Sequence, residues 1–255
     1  MRASLIIATL AAASVACTQQ KPVPIPAPTS VPEPAPAAAA PATTVSMPAA
    51  ADPDKVVAGG GISAAGWMGR VDPQAAKAGR TINEAKFVTM GDGFHVTAGP
   101  AAIYWNAANT ATGNYTATAT FSQTKASAHP EGYGLLIAGH NLDQPTESYL
   151  YFLVRQDGKF LINHRADDNT VHKMVDWTAN PAVHAIDASG KATNALSVVV
   201  GSGAVSFRVN GTEVHSIPRA TLDSGGDHSG TTGIVGLRVN HNLDVHVSDF
   251  GVKAG

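Results

Sequence analysis

The sequence predicts an all-β fold, an antiparallel sandwich or barrel formed by one domain from about Val56 to Gly255. Three observations predict it. Short β-rich runs recur along this stretch with two-residue alternation. Nearly every run is bounded by Gly, Asn, Asp or Pro. Helical periodicity is almost absent, with room only for a short helix at Asp72–Ala78. About 200 residues suffice for one sizeable core.

The elements follow in order. Expected strands are Ile103–Asn106, Tyr115–Phe121, Tyr133–Gly139, Tyr149–Arg155, Phe160–Arg165, Leu196–Val200, Val205–Val209, Ile234–Val239 and Val245–Val252. Tyr115–Phe121 shows the pattern most plainly, because large or apolar residues alternate with threonines as in a half-buried strand. Asn210-Gly211 supplies the positive φ angles of a two-residue type I′ hairpin, which sets Val209 against Thr212, Arg208 against Glu213 and Phe207 against Val214. Asp157-Gly158 reads as a similar turn, and direct counting across it places His164 opposite Tyr151.

The residues ahead of this domain read differently. Arg2, the apolar run Leu5–Val15 and the small residues before Cys17 form the pattern of an export signal over residues 1–17, too short for a spanning helix. Its end resembles the lipobox of bacterial lipoproteins, with Ser14 where that pattern usually has Leu, and this implies lipidation of Cys17. Thr18 in the next position resembles lipoproteins sorted to an outer membrane. Residues 18–55 are dominated by Pro and Ala, which favours an extended, disordered linker of about 38 residues reaching on the order of 115 Å. The expectation is an exported chain held in the cell envelope, touching membrane through its lipid anchor only.

Charge and cysteine content narrow the function classes. With 17 Lys and Arg against 19 Asp and Glu, and no basic cluster, the chain has no electrostatic footprint for nucleic acid. Cys17 is the only cysteine, so the domain has neither a disulfide nor a thiolate metal site.

Several segments in order carry a resemblance. Gly91-Asp-Gly-Phe-His-Val96, Gly99-Pro-Ala-Ala-Ile-Tyr-Trp105, Gly132-Tyr-Gly-Leu-Leu-Ile-Ala-Gly139, Tyr149-Leu-Tyr-Phe-Leu-Val154, Val205-Ser-Phe-Arg-Val-Asn-Gly211, Gly236-Leu-Arg238 and Val247-Ser-Asp-Phe-Gly-Val252 together resemble the concanavalin A-like lectin and glucanase superfamily. Within it the chain is most similar to laminin G-like and 3-keto-disaccharide hydrolase-like domains. The resemblance implies a jelly roll of two curved antiparallel sheets, with ligand on the concave face or at its rim. It also admits Ca2+ or another divalent ion held by oxygens at a sheet rim, although no EF-hand-type ligand run is present.

Hydrolysis by the usual glycosidase route needs two carboxyl groups about 5 to 10 Å apart. The domain's only glutamates are Glu84, Glu131, Glu147 and Glu213, it lacks the Glu-x-Asp-x-x-Glu motif of the superfamily's glucanases, and Asp143, Asp167, Asp168 and Asp176 are the further candidates. Glu131 and Glu147 fall at opposite ends of one hairpin, roughly 25 Å apart at ~3.3 Å per residue. Asp167-Asp168-Asn169 reads as a turn. His140-Asn-Leu-Asp143 is echoed by His241-Asn-Leu-Asp244: either His140, Asp143 and His241 converge on a metal ion, or the two segments close similar turns.

A sugar surface fits the residues better, since saccharides are held by aromatic faces and planar polar side chains. If Leu150, Phe152 and Val154 point inward, then Tyr149, Tyr151 and Arg155 share the opposite face, and likewise Arg238 and Asn240 lie opposite Val235, Leu237 and Val239. His164 and one aromatic of the Tyr104-Trp105 pair, with Trp105 the one nominated, complete the expected surface; alternation alone does not say which of the two faces outward. The leading expectation is therefore an envelope lipoprotein that binds a glycan or an envelope protein without catalysis. The alternatives are glycoside cleavage of the 3-keto-disaccharide hydrolase type and a purely structural envelope role.

Overall fold

The structure, a computed structural model, describes residues 52–224 and 230–255. The expected signal, Cys17, nearly all of the Pro/Ala-rich segment and residues 225–229 lie outside the described residues.

In chain order the strands begin with β1 (Gly61–Ile62), β2 (Met68–Val71), β3 (Lys86–Met90), β4 (Gly93–Thr97) and β5 (Ala102–Ala111). Next come β6 (Tyr115–Gln123), β7 (Gly132–His140), β8 (Ser148–Arg155), β9 (Lys159–Arg165) and β10 (Val171–Ala179). The last are β11 (Ala192–Val200), β12 (Ala204–Val209), β13 (Thr212–Pro218), β14 (Gly233–Val239) and β15 (Asp244–Ala254). Two five-residue helices, α1 (Pro73–Lys77) and α2 (Arg219–Asp223), accompany them. Proline at the first turn suits the start of α1, and Gly79 at φ 81 lies just beyond its end.

An eight-stranded sheet, ordered β1-β3-β4-β15-β6-β11-β12-β13, faces a seven-stranded sheet, ordered β10-β9-β8-β7-β14-β5-β2. All pairings are antiparallel except β1 with β3. The fold is the jelly-roll sandwich that the alternation and the resemblance led one to expect. Its interior holds Phe87, Tyr104, Tyr115, Phe121, Tyr133, Phe152 and Phe207 with many aliphatic side chains. Each such buried side chain contributes about 1.5 to 3 kcal/mol. On β6 the alternation is complete: Tyr115, Ala117, Ala119 and Phe121 are buried, while Thr116, Thr118, Thr120 and Ser122 face outward.

Two registers need correction. Arg208 does face Glu213, but a bulge then places His215, not Val214, against Phe207. The β8–β9 connection has three residues, Gln156 to Gly158, because Arg155 pairs with Lys159. Gly158 takes the left-handed position of such a loop at φ 78. Asn163 therefore opposes Tyr151, and His164 opposes Leu150.

The β12–β13 turn is as expected, with Asn210 and Gly211 both left-handed at φ 50 and 83. The Asn210 side chain is also tied down: its oxygen accepts from the Ala195 amide, and its nitrogen donates to the Ala182 carbonyl and to Asn194 Oδ1.

Candidate functional site

The candidate site is built on the face of the seven-stranded sheet turned away from the sandwich interior. Leu150, Phe152 and Val154 enter the main core, so Tyr149, Tyr151 and Leu153 emerge on the other side, joined by Trp105, Ile103, Leu136, Leu142 and Leu161 in a second apolar cluster. Tyr104 points inward and Trp105 outward, which settles the choice that alternation left open. Arg238 belongs to this outward face, since it donates from Nη1 to the Tyr149 hydroxyl oxygen at 3.0 Å and lies 5.0 Å over the Tyr151 ring.

The face is not open, and this corrects the expected recognition surface. Trp105 is 3 %, Tyr149 0 %, Tyr151 6 % and Arg238 5 % exposed. A layer of charged side chains, Arg238 among them, covers the two tyrosines. Arg238 grips Asp72 in a bidentate pair at 2.6 and 2.6 Å. Arg165 donates from Nε to Tyr149 at 3.1 Å, lies 3.4 Å from Glu147 and reaches Asp72 at 3.9 Å. Arg70, from β2, pairs with Glu147 at 2.7 Å and with Asp168 at 2.9 Å. Three guanidinium groups and three carboxylates thus interlock above two tyrosines.

Burial tends to raise the pKa of Asp72, but the adjacent Arg238, with Arg165 and Arg70, more than offsets this and holds its carboxyl below the usual range. At Glu147 burial dominates, and its pKa is raised despite the two arginines. Burial likewise pushes the Tyr149 phenol up.

His164 is a second correction. Because the β8–β9 loop has three residues, it shares the inward side with Leu150, with a ring nitrogen 3.1 Å from Ser148 Oγ and its ring stacked on His172. Arg155 and Asn240 retain partial exposure. Arg155 lies 4.3 Å over the Trp177 ring and pairs with Asp157, while Asn240 donates to Glu131 at 3.2 Å.

The structure separates the residues of the expected metal site. β7 and β14 are antiparallel neighbours, with Tyr133 opposite Val239 and Gly139 opposite Ile234. His140 ends β7 with Asp143 just beyond it, while His241 follows β14, so they stand at opposite ends of the pair, roughly 25 Å apart at ~3.3 Å per residue. No three-residue His/Asp/Glu metal cluster exists among the described residues. The echoed tetrapeptide is turn chemistry: Asn141 and Asn242 are both left-handed, at φ 49 and 57, and Leu142 and Leu243 are both buried.

His241 instead contacts two carboxylates, Asp54 at 3.0 Å and Glu131 at 2.9 Å. Burial works to lower its pKa, but Glu131 and Asp54 outweigh this and raise it. Alongside, Asn242 accepts from the Lys55 amide and donates to Asp52 and to the Pro53 carbonyl, so contacts with the sandwich begin a few residues before the expected Val56 boundary.

Beside the ionic layer, between α1 and the loop after β9, lies a cleft of ≈ 280 Å³ lined by Asp72, Pro73, Gln74, Arg165, Asp168, Asn169 and Val171. Gln74, Asn169 and Val171 are exposed there, and Lys77 on α1 donates to Asn169 at 2.8 Å. Sequence reading missed Arg70, Asp72 and Arg165. Correct counting across the three-residue loop would have found Arg165 opposite Tyr149, whereas no local signal marks Arg70 or Asp72.

No family model and no curated protein matches the chain. Among solved structures it is similar to the carbohydrate-binding module CBM66 from Bacillus subtilis, with a TM-score of 0.52 at 9 % identity over 74 % of this chain and 96 % of that one. It is also similar to a Bacillus subtilis protein of unknown function with a galectin-like fold, with a TM-score of 0.50 at 15 % identity over 73 % and 88 % of the two chains. At these identities the likeness is one of fold.

Proposed function

We propose that the protein is an exported, lipid-anchored envelope module that binds a glycan, without catalysis, in the cleft between α1 and the loop after β9. The observation that carries this reading is the make-up of the cleft. Arg165, Asp72 and Asp168 are fixed in place by partners behind them, and the exposed amides of Gln74 and Asn169 stand at the opening. Pre-set planar polar groups of this kind suit the paired hydroxyls of a sugar ring. A buried ion network contributes little net stability over apolar packing, so its retention on this face is better explained by positioning. The fold shared with a carbohydrate-binding module supports the reading. Export and anchoring rest on the Arg2–Cys17 pattern.

The test is a glycan array probed with the full-length chain, followed by titration of Gln74→Ala and Asn169→Ala. Both side chains are exposed, so folding should be unchanged while affinity falls about five- to tenfold per lost hydrogen bond. An array without a ligand, or a ligand indifferent to both changes, counts against the proposal.

One observation favours glycoside cleavage as a second reading: Asp72 and Glu147 contact the same guanidinium and have pKa values moved in opposite directions. Turnover of a 3-keto-disaccharide that Glu147→Gln abolishes without weakening binding would establish it.

A further inference from the structure

A second cleft, of ≈ 310 Å³, lies on the other flank of α1, lined by Asp54, Asp72, Gln74, Ala75, Ala78, Ala101 and His241. It shares Asp72 and Gln74 with the first. Each cleft alone is near the lower limit for a ligand pocket, and the two joined are well inside the usual range. We infer that they form one groove crossing α1, which takes an extended neutral or amino-bearing oligosaccharide rather than a single sugar or a uronic acid polymer. The inference rests on the glycan-binding reading and adds length and charge class to it.

The length follows from the shared residues. A sugar seated against Asn169 and Asp168 has its next unit directed over Gln74, where the small side chains of Ala75 and Ala78 leave the path clear.

The charge class follows from the balance of charge along the lining, whose cations already have partners. Arg165 is spent on Tyr149, Glu147 and Asp72, and Arg70 on Glu147 and Asp168. His241 is held between Asp54 and Glu131, and Lys77 donates to Asn169. The lining of the two clefts carries three carboxylates, Asp54, Asp72 and Asp168, against the one guanidinium of Arg165 and the imidazole of His241, so a carboxylated sugar would meet a net negative wall. Hydroxyls, or an ammonium group beside Asp54 and Asp72, meet no such repulsion.

The experiment titrates the full-length chain with gluco- and manno-oligosaccharides, chitosan oligomers and oligogalacturonates of two to six units. The Ala78→Trp and Asn169→Ala variants are titrated in parallel, with thermal melts to confirm folding. Affinity for the neutral or amino series should rise about tenfold or more between two and four units. Ala78→Trp, which fills only the second cleft, should remove that gain and leave dimer binding unchanged. Length-independent affinity, indifference to Ala78→Trp, or preference for oligogalacturonate would overturn the groove while leaving the first cleft standing if Asn169→Ala still weakens binding. No binding to any series would overturn both readings together.

Discussion

On the eight-stranded sheet the outward positions of β6 are Thr116, Thr118, Thr120 and Ser122, short and half-exposed. On the seven-stranded sheet the outward positions of β8 include Tyr149, Tyr151 and Leu153, all buried. Both strands obey the same two-residue rhythm. The difference is what the chain lays over them: the tyrosine face receives Arg70 and Asp72 from β2 and the start of α1, and Glu147 and Asp168 from the loops around β8 and β9. Facing outward therefore differs from facing water. The covered face is also the one that bears interlocked charges, so the two faces should respond to substitution by very different amounts.

The largest effect expected is from Asp72→Ala. It strips the bidentate partner from a 5 % exposed guanidinium and should cost about 3 to 5 kcal/mol. The matched change on the other face, Thr118→Val, should stay within about 0.5 kcal/mol. Urea unfolding of both variants measures the contrast, and similar losses would erase it.

A smaller effect separates the ends of the covered face. Since the His241 pKa is raised, its ion pairs with Asp54 and Glu131 stabilise the fold in full below the ordinary imidazole value of about 6.5, and this is lost as pH rises through the elevated value. The protection of the Lys55 amide, bonded to the neighbouring Asn242, should then fall at the higher pH, read as its exchange rate divided by the intrinsic rate at the same pH. His241→Gln should abolish that fall in protection. A His241 NMR titration at or below 6.5 would contradict it.

The smallest effect belongs to the open side. Arg208 and Glu213 are 3.6 Å apart with side chains 43 % and 44 % exposed, and a double-mutant cycle should return less than about 1 kcal/mol. A larger coupling would mean that the eight-stranded face is less freely solvated than its exposure implies.

How much of this could be read from the residues depends on where each signal resides. Strands with one buried face, such as β6 and β8, are written in local alternation. β10 was missed because it is an edge strand, polar on much of both sides, with register shifts between Lys173 and Val175 and between Val175 and Thr178. The face assignments of Tyr149, Tyr151 and Arg238 were equally local and hold, whereas alternation alone could not choose between Tyr104 and Trp105. His164 failed by one residue in a loop, which is enough to invert a side chain. The covering layer was illegible because it is non-local: Arg70 meets Asp168 across 98 positions, and nothing near either residue announces the other.

The β12–β13 turn has a chemical consequence. An Asn followed by Gly is the pair most prone to spontaneous loss of its side-chain amide, because the glycine nitrogen can close a five-membered ring on the asparagine carbonyl carbon. In Asn210 that carbon is held by three hydrogen bonds reaching Ala182, Asn194 and Ala195. The same contacts that shape the hairpin therefore slow its ageing, and a molecule that did convert to aspartate would set a new negative charge against two oxygen acceptors. Accumulated deamidation at this turn would accordingly report how often the hairpin has opened during the protein's lifetime.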